Sequence, residues 1–416
     1  MNDFADLLVS QLSEDVRALP ERVRARLSAA ERVDRAGTVA ELRALARRRV
    51  PRVVFDYLDG GAGDELTLAR NVTALRAIEI VPRVLAGVEQ VATATTVLGQ
   101  PVSLPLLGAP MGLTGLLHPD GEVALARALH AAGSLSVVSA MASCPVAEVA
   151  AGSAGPLWFQ AYIWRDRGLV LDVLARARAA GITALVVTLD VPCGSNRDRD
   201  RRNGFSIPPR ITLKALAGGA IRPGWSAGFV RNPRIRWGNL PSDGALGGGG
   251  LAATLSAATS QQFDPTATWA DLDWFREQWD GPLVVKGVLH PDDARQAARL
   301  GAAAVIVSNH GGRQLDGAPA AVRALPAVAQ AVAGDAEVYF DGGIRRGADI
   351  VKALALGARA CLAGRALGYG LGAGGEAGVR RAVQILRGEL RTVLTLAGCP
   401  SVQELAPSWL RQDPGR

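Results

Sequence analysis

The chain has 416 residues, 49% of them hydrophobic and only 5% aromatic, with a formal net charge of +7. That length exceeds the usual single core but fits one barrel of alternating strands and helices with insertions, whose core aliphatic strands and Ala-rich helices must build. Four scattered cysteines, Cys144, Cys193, Cys361 and Cys399, form no CxxC pair. They suggest neither a zinc site nor a disulfide framework and fit a reducing cytoplasm.

In chain order, residues 1–37 mix charges throughout and lack a basic-then-apolar export signal, so they are expected to be a helical extension that is not exported. The barrel is expected over 38–416. The most apolar stretch, Leu104 to Leu117, is too short and too rich in Gly and Pro for a membrane span. From Leu104 onward, eight aliphatic runs alternate with helical patterns. They start at Leu104, Leu135, Leu157, Ala184, Pro282, Ala303, Ala336 and Arg359. Their near-continuous apolar character suits strands buried on both faces, and eight such units predict a (β/α)₈ TIM barrel. The rhythm breaks only between the fourth and fifth strands, where an insertion of about 205–265 is expected.

Polar residues mark one end of these strands: Gln160 and Tyr162, Thr188 and Asp190, Lys286, Ser308 with His310, and Asp341. In a barrel those ends converge on one mouth. After the seventh and eighth strands, "FDGGIRRG" and "AGR" lead glycine-rich loops into helix starts, with Arg345 and Arg365. Backbone N–H groups and arginines so placed suit a phosphate; the alternative is that the glycines only turn the chain. "GLGAGG" at 370–375 fits GxGxxG literally, but it follows no strand directly and lacks a downstream acid for a ribose. It is read as a loose loop.

His310 precedes two glycines that permit a tight turn, leaving a ring nitrogen able to face the mouth. Arg313 suits a bidentate contact to a carboxylate while His310 takes a proton from a neighbouring atom. Asp190 is the candidate to hold the imidazole, and Arg197 a second carboxylate clamp. Singly, these residues have bland alternatives: a loop histidine, a capping aspartate, a solvated arginine. Their convergence on one mouth favours chemistry. His118 and His290, each followed by Pro and an acid, read as loop or capping residues. Lys286 ends an apolar strand, where an unpaired ammonium is costly, so it is expected to meet a negative partner such as an anionic cofactor ring.

"SNHGGRQLDG", followed by "DGGIRRG", "ALALGA" and "GRA", resembles the FMN-dependent α-hydroxy acid dehydrogenase and oxidase family over roughly Thr38 to Leu405. The resemblance implies oxidation of an L-2-hydroxy acid, L-lactate first, to the 2-keto acid. His310 would be the base, Asp190 its partner, Arg197 and Arg313 the carboxylate ligands, and Tyr162 a substrate contact. FMN would be held around Pro110, Met111 and Gly112, by Ser139, Gln160, Thr188, Lys286 and Ser308. Its phosphate would meet Asp341, Gly343, Arg345, Gly364 and Arg365. Gly112 stands where oxidases often carry Ala, which implies a dehydrogenase passing electrons to a quinone or another non-oxygen acceptor. The alternatives are an oxygen-reducing oxidase, a mandelate-type dehydrogenase, a non-redox FMN barrel enzyme and a non-catalytic flavin binder. In "VVFDYLDGGAGDE", Phe55 is read as replacing the family's substrate-binding tyrosine, with Tyr57 pointing elsewhere on the helix. Family likeness also implies a homo-oligomer, a tetramer. The basic insertion residues Arg210, Lys214, Arg222, Arg231, Arg234 and Arg236, interleaved with Trp225, Phe229 and Trp237, leave two readings open. They form a contact to an anionic membrane surface on its inner face, or a basic lid over the mouth. Nucleic-acid binding is not expected, since basic charge beside an acid substrate already has a use.

Overall fold

The computed structural model describes residues 29–204, 222–232, 234, 237–240 and 262–411. Eight parallel strands close a barrel: β1 Leu106–Gly108, β2 Ser136–Ser139, β3 Leu157–Tyr162, β4 Ala184–Thr188, β5 Leu283–Val288, β6 Ala304–Val307, β7 Glu337–Asp341 and β8 Ala360–Ala363. Each lies within one of the apolar runs. The ring follows chain order and shuts where Cys361, Leu362 and Ala363 pair with Leu106, Leu107 and Gly108.

Period-two alternation sorts each strand into an inner and an outer set. In β4, Val186 packs inside the barrel with Leu107, Trp158, Val284, Ile306, Tyr339 and Leu362, while Leu185 and Val187 join the outer core under the helices. Trp158 and Tyr339 fill the interior with ring centroids 5.6 Å apart. The barrel is thus packed through its middle, and only its mouth has room for ligands.

Among the described residues, four helices precede the barrel: α1 Ala29–Arg35, α2 Val39–Arg49, α3 Arg52–Asp59 and α4 Leu66–Ala77. Of the expected N-terminal extension, residues 1–28 lie outside the described residues, and residues 29–35 form α1. The later helices are α5 Gly121–Ala131, α6 Val146–Gly152, α7 Arg167–Ala179, α8 Asp198–Arg202, α9 Pro223–Arg231, α10 Trp269–Gln278, α11 Pro291–Arg299, α12 Ala321–Ala331, α13 Gly347–Ala355 and α14 Arg365–Ala397. His290 caps α11 by accepting from the Asp292 N–H at 3.2 Å, and His118 accepts from the Asp120 N–H at 3.3 Å, so both histidines are local turn formers.

The insertion between β4 and β5 holds α8, α9 and the segment 237–240. Its end is docked on the barrel: the Gly238 N–H donates to the Ala142 carbonyl at 2.8 Å, and the Asn239 carboxamide spans the Val146 N–H and the Ser139 carbonyl. Positions 210, 214 and 236 lie outside the described residues. Among the described residues, no helix is long and apolar enough to cross a membrane.

Residues 370–375 are not the loose loop expected. They are helical, largely buried, and kink α14 at Gly374 and Gly375. The kink folds Gly378 onto Gly370 so closely that a Cβ on Gly378 would lie 1.9 Å from the Gly370 carbonyl oxygen. Glycine here serves close backbone approach, which a nucleotide-loop pattern mimics. Gly378→Ala is expected to cost about 1–3 kcal/mol by overpacking, read by urea unfolding of the flavin-loaded protein; unchanged stability would refute this packing.

Candidate active site

The loop after β6 turns through three consecutive left-handed residues, His310, Gly311 and Gly312, with φ of 57°, 64° and 73°. The glycines are required by space as well as by φ. A Cβ on Gly311 would sit 2.7 Å from Arg365 Nη1, and one on Gly312 2.5 Å from the Leu68 nitrogen. His310 carries the strain of a side chain in this region, a cost of roughly 1–3 kcal/mol borne only where surroundings enforce it. The enforcement is a buried amide pair. Asn309 and Asn71 exchange hydrogen bonds of 2.8 Å in both directions, and Asn309 Oδ1 also accepts from the Gly312 N–H at 3.1 Å. Sequence reasoning missed Asn71; its one signal is an amide on the buried face of α4.

The turn sets His310 Nδ1 2.9 Å from Asp190 Oδ1. Burial pushes His310 below its ordinary value, outweighing the Asp190 carboxylate, and Lys286 adds to the depression. Burial alone would raise Asp190, but His310 and Lys286 hold it below the usual range. The pair is therefore a carboxylate accepting from Nδ1–H of a neutral imidazole, which leaves Nε2 as a lone-pair base. Asp190 Oδ2 is buried without a hydrogen-bond partner.

One cavity of about 760 Å³ opens at this mouth. Tyr162, Arg197, His310 and Arg313 line it, as do Pro110, Met111, Gly112, Gln160, Thr188 and Lys286. Asp341, Gly343, Arg345, Gly364 and Arg365 complete the predicted lining. Asp190, Ser139 and Ser308 stand one layer behind and orient lining groups. Ser139 Oγ donates to Gln160 Oε1 at 2.8 Å. Ser308 Oγ accepts from Lys286 Nζ at 3.1 Å and donates to Asp341 Oδ2 at 2.8 Å. Lys286 has the negative partner its burial demanded, Asp341 Oδ2 at 3.2 Å.

The cavity gathers guanidinium groups. Burial lowers Arg197 to about 10 and Arg365 to about 9, and in both the Arg313 charge lowers it further. Arg313 Nη1 donates to the carbonyls of Tyr57 and Gly60, and Arg365 donates to those of Leu58, Gly60 and Gly311. Three of the five N–H groups of Arg365 are thus committed to carbonyls, leaving two for a ligand.

The expectation for α3 is corrected. Phe55 is 2% exposed and packs at 6.3 Å on Tyr369, with no access to the cavity. Tyr57 is the residue that lines the cavity, with its ring under Arg313 at 5.0 Å and its hydroxyl 3.4 Å from the Gly112 carbonyl. Two residues on a helix differ by about 200° in direction, so the core claims position 55 and the mouth position 57. The insertion supplies two further lining residues, Trp237 and Phe263.

FMN fits what is present. Arg345 and Arg365 flank the start of α14, where free N–H groups and the helix dipole favour a phosphate. Lys286, Gln160 and Thr188 would offer polar partners to the flavin ring, and Met111 and Gly112 line the same cavity. Guanidinium groups lowered by burial, and further by one another, gain from an anion, and the volume suits a cofactor with a small substrate.

A closed barrel with these groups at its carboxyl mouth is the architecture of a flavin-linked dehydrogenase. The chain belongs to the FMN-dependent dehydrogenase family, whose pattern matches residues 46–412. It is 45% identical over 370 residues to an L-lactate dehydrogenase of Caulobacter vibrioides (strain NA1000 / CB15N), covering 88% of this chain and 96% of the relative. With an L-lactate dehydrogenase of Pseudomonas aeruginosa (strain LESB58) it shares 42% over 380 residues, covering 90% and 98%. In structure it resembles the monotopic membrane protein (S)-mandelate dehydrogenase, with a TM-score of 0.85 and 39% identity over 91% of this chain and all of that one.

Tyr57→Phe is expected to weaken binding of a carboxylate ligand while Phe55→Tyr leaves it unchanged and lowers stability by about 1–3 kcal/mol. Ligand titrations of flavin absorbance and urea melts check this; the opposite assignment of effects would restore position 55 to the site.

Proposed function

We propose that the protein oxidises an L-2-hydroxy acid, L-lactate in the first instance, to the 2-keto acid and passes the electrons to a quinone. The observation that carries the reading is a neutral, carboxylate-held imidazole beside two guanidinium groups at the mouth of a flavin barrel. Bound FMN supplies the acceptor for the two electrons that leave the substrate. Arg197 and Arg313 hold the acid's carboxylate and Tyr57 and Tyr162 flank it. His310 Nε2 removes the proton, and Asp190 stabilises the imidazolium that forms. Lys286, fixed by Ser308 and Asp341, would offer its ammonium to the negative charge of a reduced flavin. Arg345, Arg365 and the backbone at Gly343 and Gly364 would hold the phosphate.

A mandelate-type substrate is the second reading. It is favoured by apolar lining beyond what a methyl group needs, Met141, Trp237 and Phe263, and by the likeness to (S)-mandelate dehydrogenase. Peripheral membrane contact belongs to the same proposal, supported by the monotopic relative and the basic insertion. Three insertion residues have other employment: Trp225 donates to the Leu116 carbonyl, Arg234 pairs with Glu148, and Trp237 is 5% exposed.

Anaerobic mixing with L-lactate, D-lactate, glycolate and (S)-mandelate is expected to bleach the flavin with one L-acid, with slow recovery in air. Fast recovery with peroxide would make it an oxidase, and no bleaching by any acid would defeat the reading. His310→Gln is expected to keep FMN and slow flavin reduction by about 10²–10⁴-fold; near-normal reduction would refute the base. Because His310 is lowered, its lone pair persists down to below pH 6.5. Reduction at low acid concentration should be flat above that value and fall as pH drops through the shifted one; a fall beginning at higher pH contradicts a depressed imidazole.

A further inference from the structure

Arg197 reaches the cavity from the first position before α8, a helix of five charged residues, "DRDRR", with none buried. Nothing apolar fixes this wall, although Arg197, Asp200 and Arg201 of it line the cavity. Its attachments to the body are polar. Arg199 Nη1 lies 2.8 Å from Asp59 Oδ2 and 3.7 Å from Asp56 Oδ1, and its Nη2 pairs with Glu65. Asn203 Nδ2 donates to Asp56 Oδ2 at 2.6 Å, and the Gly63 N–H donates to the Asn196 carbonyl at 2.9 Å. Arg199 is therefore the one side chain that joins α8 to three carboxylates of α3 and the loop after it.

Asp59 is a firm anchor. It is 5% exposed and takes both Arg43 donors, at 2.6 and 2.7 Å, and the Tyr369 hydroxyl at 2.7 Å. Removing Arg199 would leave Arg197, already repelled by Arg313, on a helix held by only the Asn203 and Asn196 hydrogen bonds against that like charge.

Building on the functional reading above, we infer that Arg199, clamped on Asp59 and Glu65, is a positioning residue that holds Arg197 against Arg313 for the substrate carboxylate. It touches no substrate, so its loss acts on carboxylate affinity and spares the proton transfer at His310.

The test uses the full FMN-loaded chain as wild type, Arg199→Met, Arg199→Lys and Glu65→Gln. Two readings are taken: flavin absorbance titrated with oxalate, which offers no hydrogen to remove, and anaerobic flavin reduction across L-lactate concentrations. Expected for Arg199→Met is a weakening of oxalate and lactate binding by about tenfold or more, with the saturating reduction rate within about twofold and FMN content unchanged. Arg199→Lys should recover part of the affinity, and Glu65→Gln should show a smaller weakening, because the pairs of Arg199 with Asp59 and Asp56 remain. Unchanged oxalate affinity in Arg199→Met, or a lost saturating rate at unchanged affinity, overturns the inference, as does a wild type that binds no oxalate. Loss of FMN in Arg199→Met with wild-type affinities in both milder variants also overturns it. If no hydroxy acid reduces the wild type, the functional reading fails, and the oxalate titration still decides the role of Arg199.

Discussion

The carboxyl end of α3 is the constraint on which the site rests. The last carbonyls of a helix have no helical partner and carry the negative end of its dipole. Here the carbonyls of Tyr57, Leu58 and Gly60 accept from Arg313 and Arg365, which share the Gly60 oxygen. Guanidinium groups so close would repel one another in a buried cavity: burial lowers Arg197 and Arg365, and the Arg313 charge adds to it. The helix end offsets part of that repulsion without neutralising the charges, because carbonyls are dipoles and not anions. What remains is positive potential directed at the mouth, which carboxylate and phosphate ligands can satisfy. Asp59, at the same helix end, is held well below the usual carboxylate range because Arg43, Tyr369 and Arg199 outweigh its burial. One turn of helix thus anchors both the arginines that face ligand and the helix that carries Arg197.

The barrel was legible because β strands alternate and their ends converge. Each apolar run contains a strand, and polar residues at the run ends reach one mouth, including His310 and Asp190, which lie 120 positions apart in sequence. Direction was harder to read than position. Ser139 and Ser308, expected to touch FMN, bond to Gln160 and Lys286 and do not themselves line the cavity; a serine at a strand end can face either ligand or neighbour. In α3, Phe55 and Tyr57 are both aromatic, and composition does not say which faces the core; packing on Tyr369 decides it. The close approach of Gly370 to Gly378 is a tertiary contact that a six-residue pattern does not reveal.

The two sides of the cavity are built by different physics. The chemical side, His310, Asp190 and Lys286, stands on or beside strands of a packed barrel, and a buried amide pair fixes the strained turn. The opposite side comes from the insertion, with α8 held by ion pairs and 237–240 held by packing and backbone hydrogen bonds. Proton transfer tolerates little displacement, so its groups belong on the rigid part. Trp237 and Phe263, which line the cavity from the segment between β4 and β5, lie outside the barrel strands. Changes there can alter which acid fits without moving the base, as expected of a fold that varies its specificity through loops.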